Sequence, residues 1–108
     1  MTARERAAAA DAFRAMGDPT RRGILLALLE DGPSPVHAIA VRFDCTRPAI
    51  SKHLRILLDA NLVRLEKSGR ETLYELDPKA LTELRAYLDQ FWTRGLARQK
   101  KTAEGRKR

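Results

Sequence analysis

Between Thr46 and Leu62, in TRPAISKHLRILLDANL, the apolar residues Ile50, Leu54, Leu57 and Leu58 recur at i, i+4, i+7 and i+8. That spacing predicts a helix with one side packed on a core. The opposite arc holds Arg47, Pro48, Ser51, Lys52 and Arg55 and carries no acid; Asp59 comes only beyond it, near the helix end. Thr46 is a good N-cap, and Pro48 is tolerated in a first turn that lacks internal partners, so the helix is expected to begin at Thr46. Asp59, Ala60 and Asn61 close it. The period then changes from helical to alternating: Val63 and Leu65 alternate with Arg64 and Glu66, as a strand requires. Ser68 and Gly69 are read as a turn, and Thr72, Tyr74 and Leu76 as the return face of a two-stranded ribbon.

The same reading places the other elements. Residues from about Arg4 to Met16 form a first helix, Ala-rich, with Phe13 and Met16 as apolar anchors and Gly17 as its end. Asp18 and Pro19 supply an N-cap and a first-turn proline for a second helix, in which Ile24, Leu25, Leu28 and Leu29 give a core face. Gly32 and Pro33 stop it. A short third helix is expected over Ser34–Phe43, because Val36, Ile39, Ala40 and Phe43 fall on one face. Asp77 and Pro78 repeat the capping device and open a last helix through about Leu96. The expected fold is mainly α with a small β-hairpin: five helices plus a two-stranded wing, in one domain over residues 1–97. Residues 98–108 are charged without a periodic apolar face, and are expected to be a basic, disordered tail.

Charge sharpens this picture through its distribution. The 108 residues include 21 Lys and Arg against 14 Asp and Glu, a net +7, which favours a polyanionic partner. Seven basic residues and one acid lie from Arg94 onward, so the preceding body sums to only +1. Within that body the stretch from Arg42 to Arg70 is locally +4, across the helix and ribbon described above. An acid-free helix face next to a ribbon with Lys67 and Arg70 near its tip can approach phosphate without repulsion. The N-terminus of that helix adds unpaired N–H groups and the positive end of its dipole.

The element order, with DPTRRGILLALL in the second helix and AISKHLRILLDANLVR in the fourth, resembles the ArsR-type winged helix-turn-helix repressors over roughly residues 10–93. The SKHLRxL core is more specific than a bare helix-turn-helix pattern. The resemblance implies a homodimer that binds a two-fold DNA operator with its fourth helix in the major groove, released in many members by a metal ion or other signal. On that implication the residues expected at DNA are Thr46, Arg47, Pro48, Ser51, Lys52, His53, Arg55, Lys67 and Arg70. Arg47 is the expected base reader, since a guanidinium can bond O6 and N7 of guanine together. Ser51 and His53 stand beside it, while Lys52, Arg55, Lys67 and Arg70 hold phosphates. For His53 a second reading stays open, that the ring bridges helices; the resemblance favours the DNA contact.

The ligand sets of the family's metal sensors are not matched. The thiolate type resembles a cysteine pair near the recognition helix or in the helix before it, yet Val36–Val41 has none and Cys45 is the chain's one cysteine. The other type uses Asp and His of the last helix, whereas Leu81–Leu96 offers Asp89 and Glu83 without a histidine. No metal and no cofactor are therefore expected. His37 reads as a surface histidine. A single cysteine also rules out an internal disulfide, and Cys45 reads as a small filler unless an intersubunit pair forms.

The last helix carries more apolar bulk than a chain of this size readily hides: Leu81, Leu84, Leu88, Phe91 and Trp92, with Tyr87 beside them. Part is core. The remainder, Phe13, Tyr87, Leu88, Phe91 and Trp92, is the expected dimer surface, aromatic residues being typical interface anchors; the alternative is that Phe91 and Trp92 close the subunit's own core. The expected function is a dimeric, sequence-specific DNA-binding regulator, a repressor, in the cytoplasm and with no membrane partner. The alternative is a winged-helix module that docks a protein and attracts nucleic acid nonspecifically. An enzyme is not expected, because Ser51 and His53 do not face one another on a helix and no phosphate-cradling glycine loop is present.

Overall fold

Four of the five helices start where a side chain accepts a first-turn N–H; the short third helix, which follows Pro35, has no side-chain cap. In the computed structural model, which describes the backbone of residues 1–106 and the side-chain surroundings of residues 1–99, the elements are α1 (Ala3–Ala15), α2 (Pro19–Asp31), α3 (Val36–Ala40), α4 (Arg47–Asp59), β1 (Val63–Ser68), β2 (Glu71–Leu76) and α5 (Pro78–Arg106). Asp18 Oδ2 accepts the Arg21 N–H at 3.0 Å, Thr46 Oγ1 that of Ala49 at 3.3 Å, and Asp77 Oδ1 that of Lys79 at 3.0 Å. These three caps were expected from sequence. A fourth was not: Thr2 and Glu5 exchange bonds in a capping box at the start of α1, the arrangement that satisfies two orphan donors at once.

The core lies between α2, α4 and the strands, around the fully buried Ile24, Ile50, Leu54, Leu57 and Leu62. Two details differ from the sequence expectation. Leu29 is 66% exposed, while Ala27 is buried with Ile24, Leu25 and Leu28; at about 100° per residue the buried arc is centred near Ile24 and Leu28, and Leu29 falls roughly 120° from that centre. In α1 the buried residues are Ala9, Ala12 and Ala15, and Phe13 is exposed. Small side chains there let α1 lie close along α5, against which it packs.

The third helix is five residues rather than ten. Ser34 is drawn instead into an antiparallel bridge with Tyr74, with N–O distances of 3.0 and 2.8 Å, and Phe43 lies beyond the helix, packed against Gly23. A Cβ built on Gly23 would stand 2.8 Å from the Phe43 ring, so the absence of a side chain there permits the approach.

The end of α4 and the start of the wing are joined by a Schellman motif. Asn61 adopts φ 59, the Leu62 N–H bonds the Leu57 carbonyl and the Asn61 N–H that of Leu58, both at 3.0 Å, and the buried Leu57 and Leu62 supply the accompanying apolar contact. The wing then pairs from Val63↔Leu76 to Ser68↔Glu71. Its turn is Gly69–Arg70, one residue later than expected. Gly69 has φ 63, and a two-residue hairpin turn of this kind favours glycine at its first position.

The last helix continues past Leu96 as far as Arg106, across most of the stretch expected to lack structure. Ala, Arg, Gln, Lys and Glu are strong helix formers, and extending a packed helix avoids the cost of nucleating a new one. Lys107 and Arg108, the rest of the expected tail, lie outside the described residues.

Candidate nucleic-acid interface

Burying Ile50, Leu54 and Leu57 turns the opposite side of α4 to solvent, and Thr46, Arg47, Pro48, Ser51, Lys52 and Arg55 are all exposed there. Lys67 and Arg70 are exposed at the end of the wing. The seven cations between Arg42 and Arg70 divide into two groups. Arg42 bonds Asp31 at 2.6 Å and Glu30 at 3.0 Å, and those carboxylates raise its pKa, the Glu30 bond most. Arg64 bonds Glu75 across the wing at 2.7 Å, and Arg55 pairs with Asp59 one turn on, at 3.3 Å. Arg47, Lys52, Lys67 and Arg70 have no hydrogen-bond or ion-pair partner among the described residues.

The four unpaired cations therefore sit at the first two turns of α4 and at the wing tip. Asp59 reaches back to Arg55, which the sequence reading placed clear of acids. Both side chains are mostly exposed, so the pair contributes little and its guanidinium remains exchangeable. On the wing, hydrogen bonding to Glu75 and its charge push the Glu66 carboxyl up, while the Arg64 bond holds Glu75 below the usual carboxylate range.

His53 lies at the edge of this arc and is half-buried. Its Nδ1 stands 3.4 Å from Arg21 Nη1 and 3.9 Å from Asp18 Oδ2, so that side of the ring bridges α4 to α2, the second of its two readings. Asp18 is held below its usual pKa, first by the Arg21 N–H bond and then by the Arg21 charge. His37 is exposed, as expected, and its Nε2 lies 3.2 Å from Glu71 Oε1, which links α3 to the wing. Cys45 is exposed just before α4. Among the described residues, no three His, Cys, Asp or Glu side chains are grouped so as to hold a metal ion.

Sequence reasoning missed the paired arginines of DPTRR as residues with a structural task of their own. Arg21 Nε donates to the Ala15 carbonyl at 2.6 Å and Arg22 Nη1 to the Met16 carbonyl at 2.7 Å, so both bond carbonyls at the end of α1. The signal was available: basic side chains just after a helix stop are placed to bond its last carbonyls.

Away from the recognition arc, α1 and α5 border a groove of about 750 Å³ lined by Ala10, Phe13, Tyr87, Leu88, Phe91 and Trp92 together with Arg6 and Arg14. Phe91 and Trp92 are 60% and 61% exposed, so they do not close the subunit's own core. Tyr87 meets Phe91 edge to face, with centroids 5.6 Å apart and planes at 77°. All five residues expected at the dimer surface are thus on one groove.

A helix-turn-helix domain family matches residues 16–66. The HTH-type transcriptional regulator Rv2034 of Mycobacterium tuberculosis is 44% identical over 85 residues, 79% of this chain and 78% of that protein. An ArsR-like transcriptional regulator from Rhodococcus superposes with a TM-score of 0.75 at 34% identity, over 90% of this chain and 93% of its own. The chain belongs to the ArsR-type winged helix-turn-helix regulators. The transcriptional repressor SdpR of Bacillus subtilis is a further relative, 35% identical over 83 residues, 77% of this chain and 91% of the repressor. In this ArsR-type frame the matched helix-turn-helix region takes in Arg47 to Arg55 and the first four residues of β1 but ends before Lys67 and Arg70. Among the described residues no helix is long and apolar enough to cross a membrane.

Proposed function

We propose that this ArsR-type protein acts as a homodimeric, sequence-specific repressor, binding a two-fold DNA operator in the cytoplasm through α4 and the wing. The observation that carries the reading is the set of four unpaired cations: within a region where acids occupy Arg42, Arg55 and Arg64, the cations left free are those at the recognition-helix start and the wing tip. Arg47, one residue past the N-cap, reads a base edge with Ser51 beside it; Lys52, Lys67 and Arg70 hold phosphates, joined by Arg55 when it leaves Asp59; Thr46 and Pro48 shape the first turn that approaches the backbone. The task is binding rather than catalysis.

Two copies joined along the α1–α5 groove present two α4 helices to successive major grooves, roughly one helical turn apart. A protein-docking module in place of a DNA reader would expose apolar or aromatic anchors on the recognition arc, and Arg47, Ser51, Lys52 and Arg55 are not such residues. The test is footprinting of the purified protein on DNA upstream of its own gene. Protection of two half-sites about one helical turn apart is expected; uniform, salt-sensitive coating without preferred sites would remove the sequence-specific reading.

A further inference from the structure

Arg21 stands where three helices meet. Its Nε and Nη2 face the carbonyls of Ala15 and Arg14, at 2.6 and 3.5 Å; helix ends leave such carbonyls short of intrahelical donors, and that of Arg14 also accepts the Gly17 N–H at 3.1 Å. Its remaining nitrogen, Nη1, lies 3.4 Å from Nδ1 of His53 in the middle of α4. A guanidinium has five donors and no acceptor. The contact is therefore a hydrogen bond only when Nδ1 is bare, because Nδ1–H would set donor against donor. The nearby carboxylate does not reverse this: Asp18 Oδ2 is 3.9 Å from Nδ1, outside hydrogen-bonding distance, and already accepts the Arg21 N–H at 3.0 Å.

In the neutral imidazole, a bare Nδ1 places the proton on Nε2. Nε2 has no partner among the described residues. None of their half-buried side-chain nitrogens or oxygens is both sealed from solvent and unpartnered, so Nε2 is open to solvent. It belongs to the residue after Lys52, on the helix whose free cations mark the DNA-facing arc.

We propose that Arg21 is a positioning residue for DNA recognition: it fixes the His53 ring as the Nε2–H form, so that α4 offers DNA a neutral, oriented donor for a phosphate oxygen or a base-edge acceptor. The inference rests on the function proposed above and deepens it by giving His53 both of its readings at once. One nitrogen bridges helices and the other meets the duplex. The same guanidinium ties the ring to the last turn of α1, the helix that borders the dimer groove.

The test has two parts on the full-length chain. Nitrogen-15 spectra of the neutral His53 ring, without DNA, read the tautomer directly; a bare Nδ1 and a protonated Nε2 are expected, and the reverse overturns the proposal whatever any variant does. Affinities are then measured for a duplex that the chain selects from a random-sequence pool and for unselected duplex. His53→Ala should weaken binding about tenfold. His53→Gln, whose amide N–H reaches near the Nε2 position, should recover most of that loss; His53→Asn, whose amide ends near Nδ1, should not. Arg21→Met should cost as much as His53→Ala, yet cost nothing more when His53 is already Ala.

A loss confined to the selected duplex assigns the acceptor to a base edge, and an equal loss on both assigns it to phosphate. Equal losses from Ala, Gln and Asn at His53 overturn the donor role. Binding that depends on Arg47 but not on His53 overturns this inference alone, whereas a wild-type chain that binds no duplex removes the proposed function as well.

Discussion

Trp92 is the chain's one tryptophan and is 61% exposed on the groove between α1 and α5, which makes it both the strongest candidate anchor of the dimer and its own reporter. Taking about 250 Å² for the whole side chain, roughly 150 Å² is left open in one subunit. Covering that area is worth about 4 kcal/mol at ~25 cal/mol per Å². A two-fold interface contains the residue twice, so the upper bound for Trp92→Ala is about 8 kcal/mol per dimer. Area converts to affinity with losses for ordering and imperfect packing; a cost of about 3 to 4 kcal/mol, or at least a hundredfold in dimer Kd, is the working expectation.

Sedimentation equilibrium over a dilution series gives the constant. The indole emission gives a second reading, since a dry tryptophan becomes wet on dissociation and shifts to the red. The subunit itself should keep its helicity, because the residues sealed in the core are Ile24, Ile50, Leu54, Leu57 and Leu62 rather than Trp92. A wild-type chain that is monomeric at micromolar concentration, or a Trp92→Ala protein with an unchanged dimer constant, would refute the assignment of this groove to a second copy.

Arg47→Ala is expected to cost about 1 to 3 kcal/mol on the selected site and to relax base preference at one position per half-site; equal losses on selected and random DNA would make Arg47 a phosphate contact. Lys67→Gln should lower affinity for any duplex and reduce the salt slope, whereas Arg64→Gln, which removes a cation already bonded to Glu75, should change it little; the two titrations are compared across salt concentrations. Zinc, cadmium or arsenite added to the protein on its operator should leave the DNA-binding midpoint unchanged, and stoichiometric tight binding coupled to release would contradict this. Deletion after Gln99 removes five basic residues and one acid; it should weaken selected and random DNA by similar factors and flatten the salt dependence by about 0.9 in the log-log slope for each phosphate no longer neutralised. Loss of affinity for the selected site alone would make that segment a specificity arm.

The parts of the fold legible in the sequence are those governed by residues within one or two turns of each other. The face of α4 follows from the spacing of Ile50, Leu54 and Leu57, and the starts of α2, α4 and α5 from Asp18, Thr46 and Asp77. What the sequence obscured depends on distant partners. Ser34 leaves its expected helix because Tyr74, far along the chain, offers two backbone bonds. Leu29 faces solvent because the elements packed on α2 cover the arc of Ile24, Leu25, Ala27 and Leu28. Hydrophobic period reports which side of a helix is apolar, and neighbours decide how far that side rotates. The same limit applies to the interface: exposure of Arg47, Ser51 and Lys52 follows from the period of α4, but the partners of His53 lie on α2, 32 residues away for Arg21.

Charge shows why this distinction matters for function. Counted along the chain, the region from Arg42 to Arg70 is +4, and every cation in it looks equivalent. Folding makes them unequal. Arg42 is engaged at the end of α2, where Glu30 and Asp31 hold the turn after α3 against the body; Arg64 clamps the two wing strands. Both bonds hold their guanidinium groups against nearby carboxylates, so the charge left to present to a ligand is that of the unpaired residues. An acid near a DNA-binding surface then need not oppose binding. Glu75 engages Arg64 and leaves Lys67 and Arg70 unpaired. On the function proposed above, the DNA-facing surface is marked chiefly by the cations the fold leaves without a partner, and net charge, which sums paired and unpaired residues alike, cannot locate it.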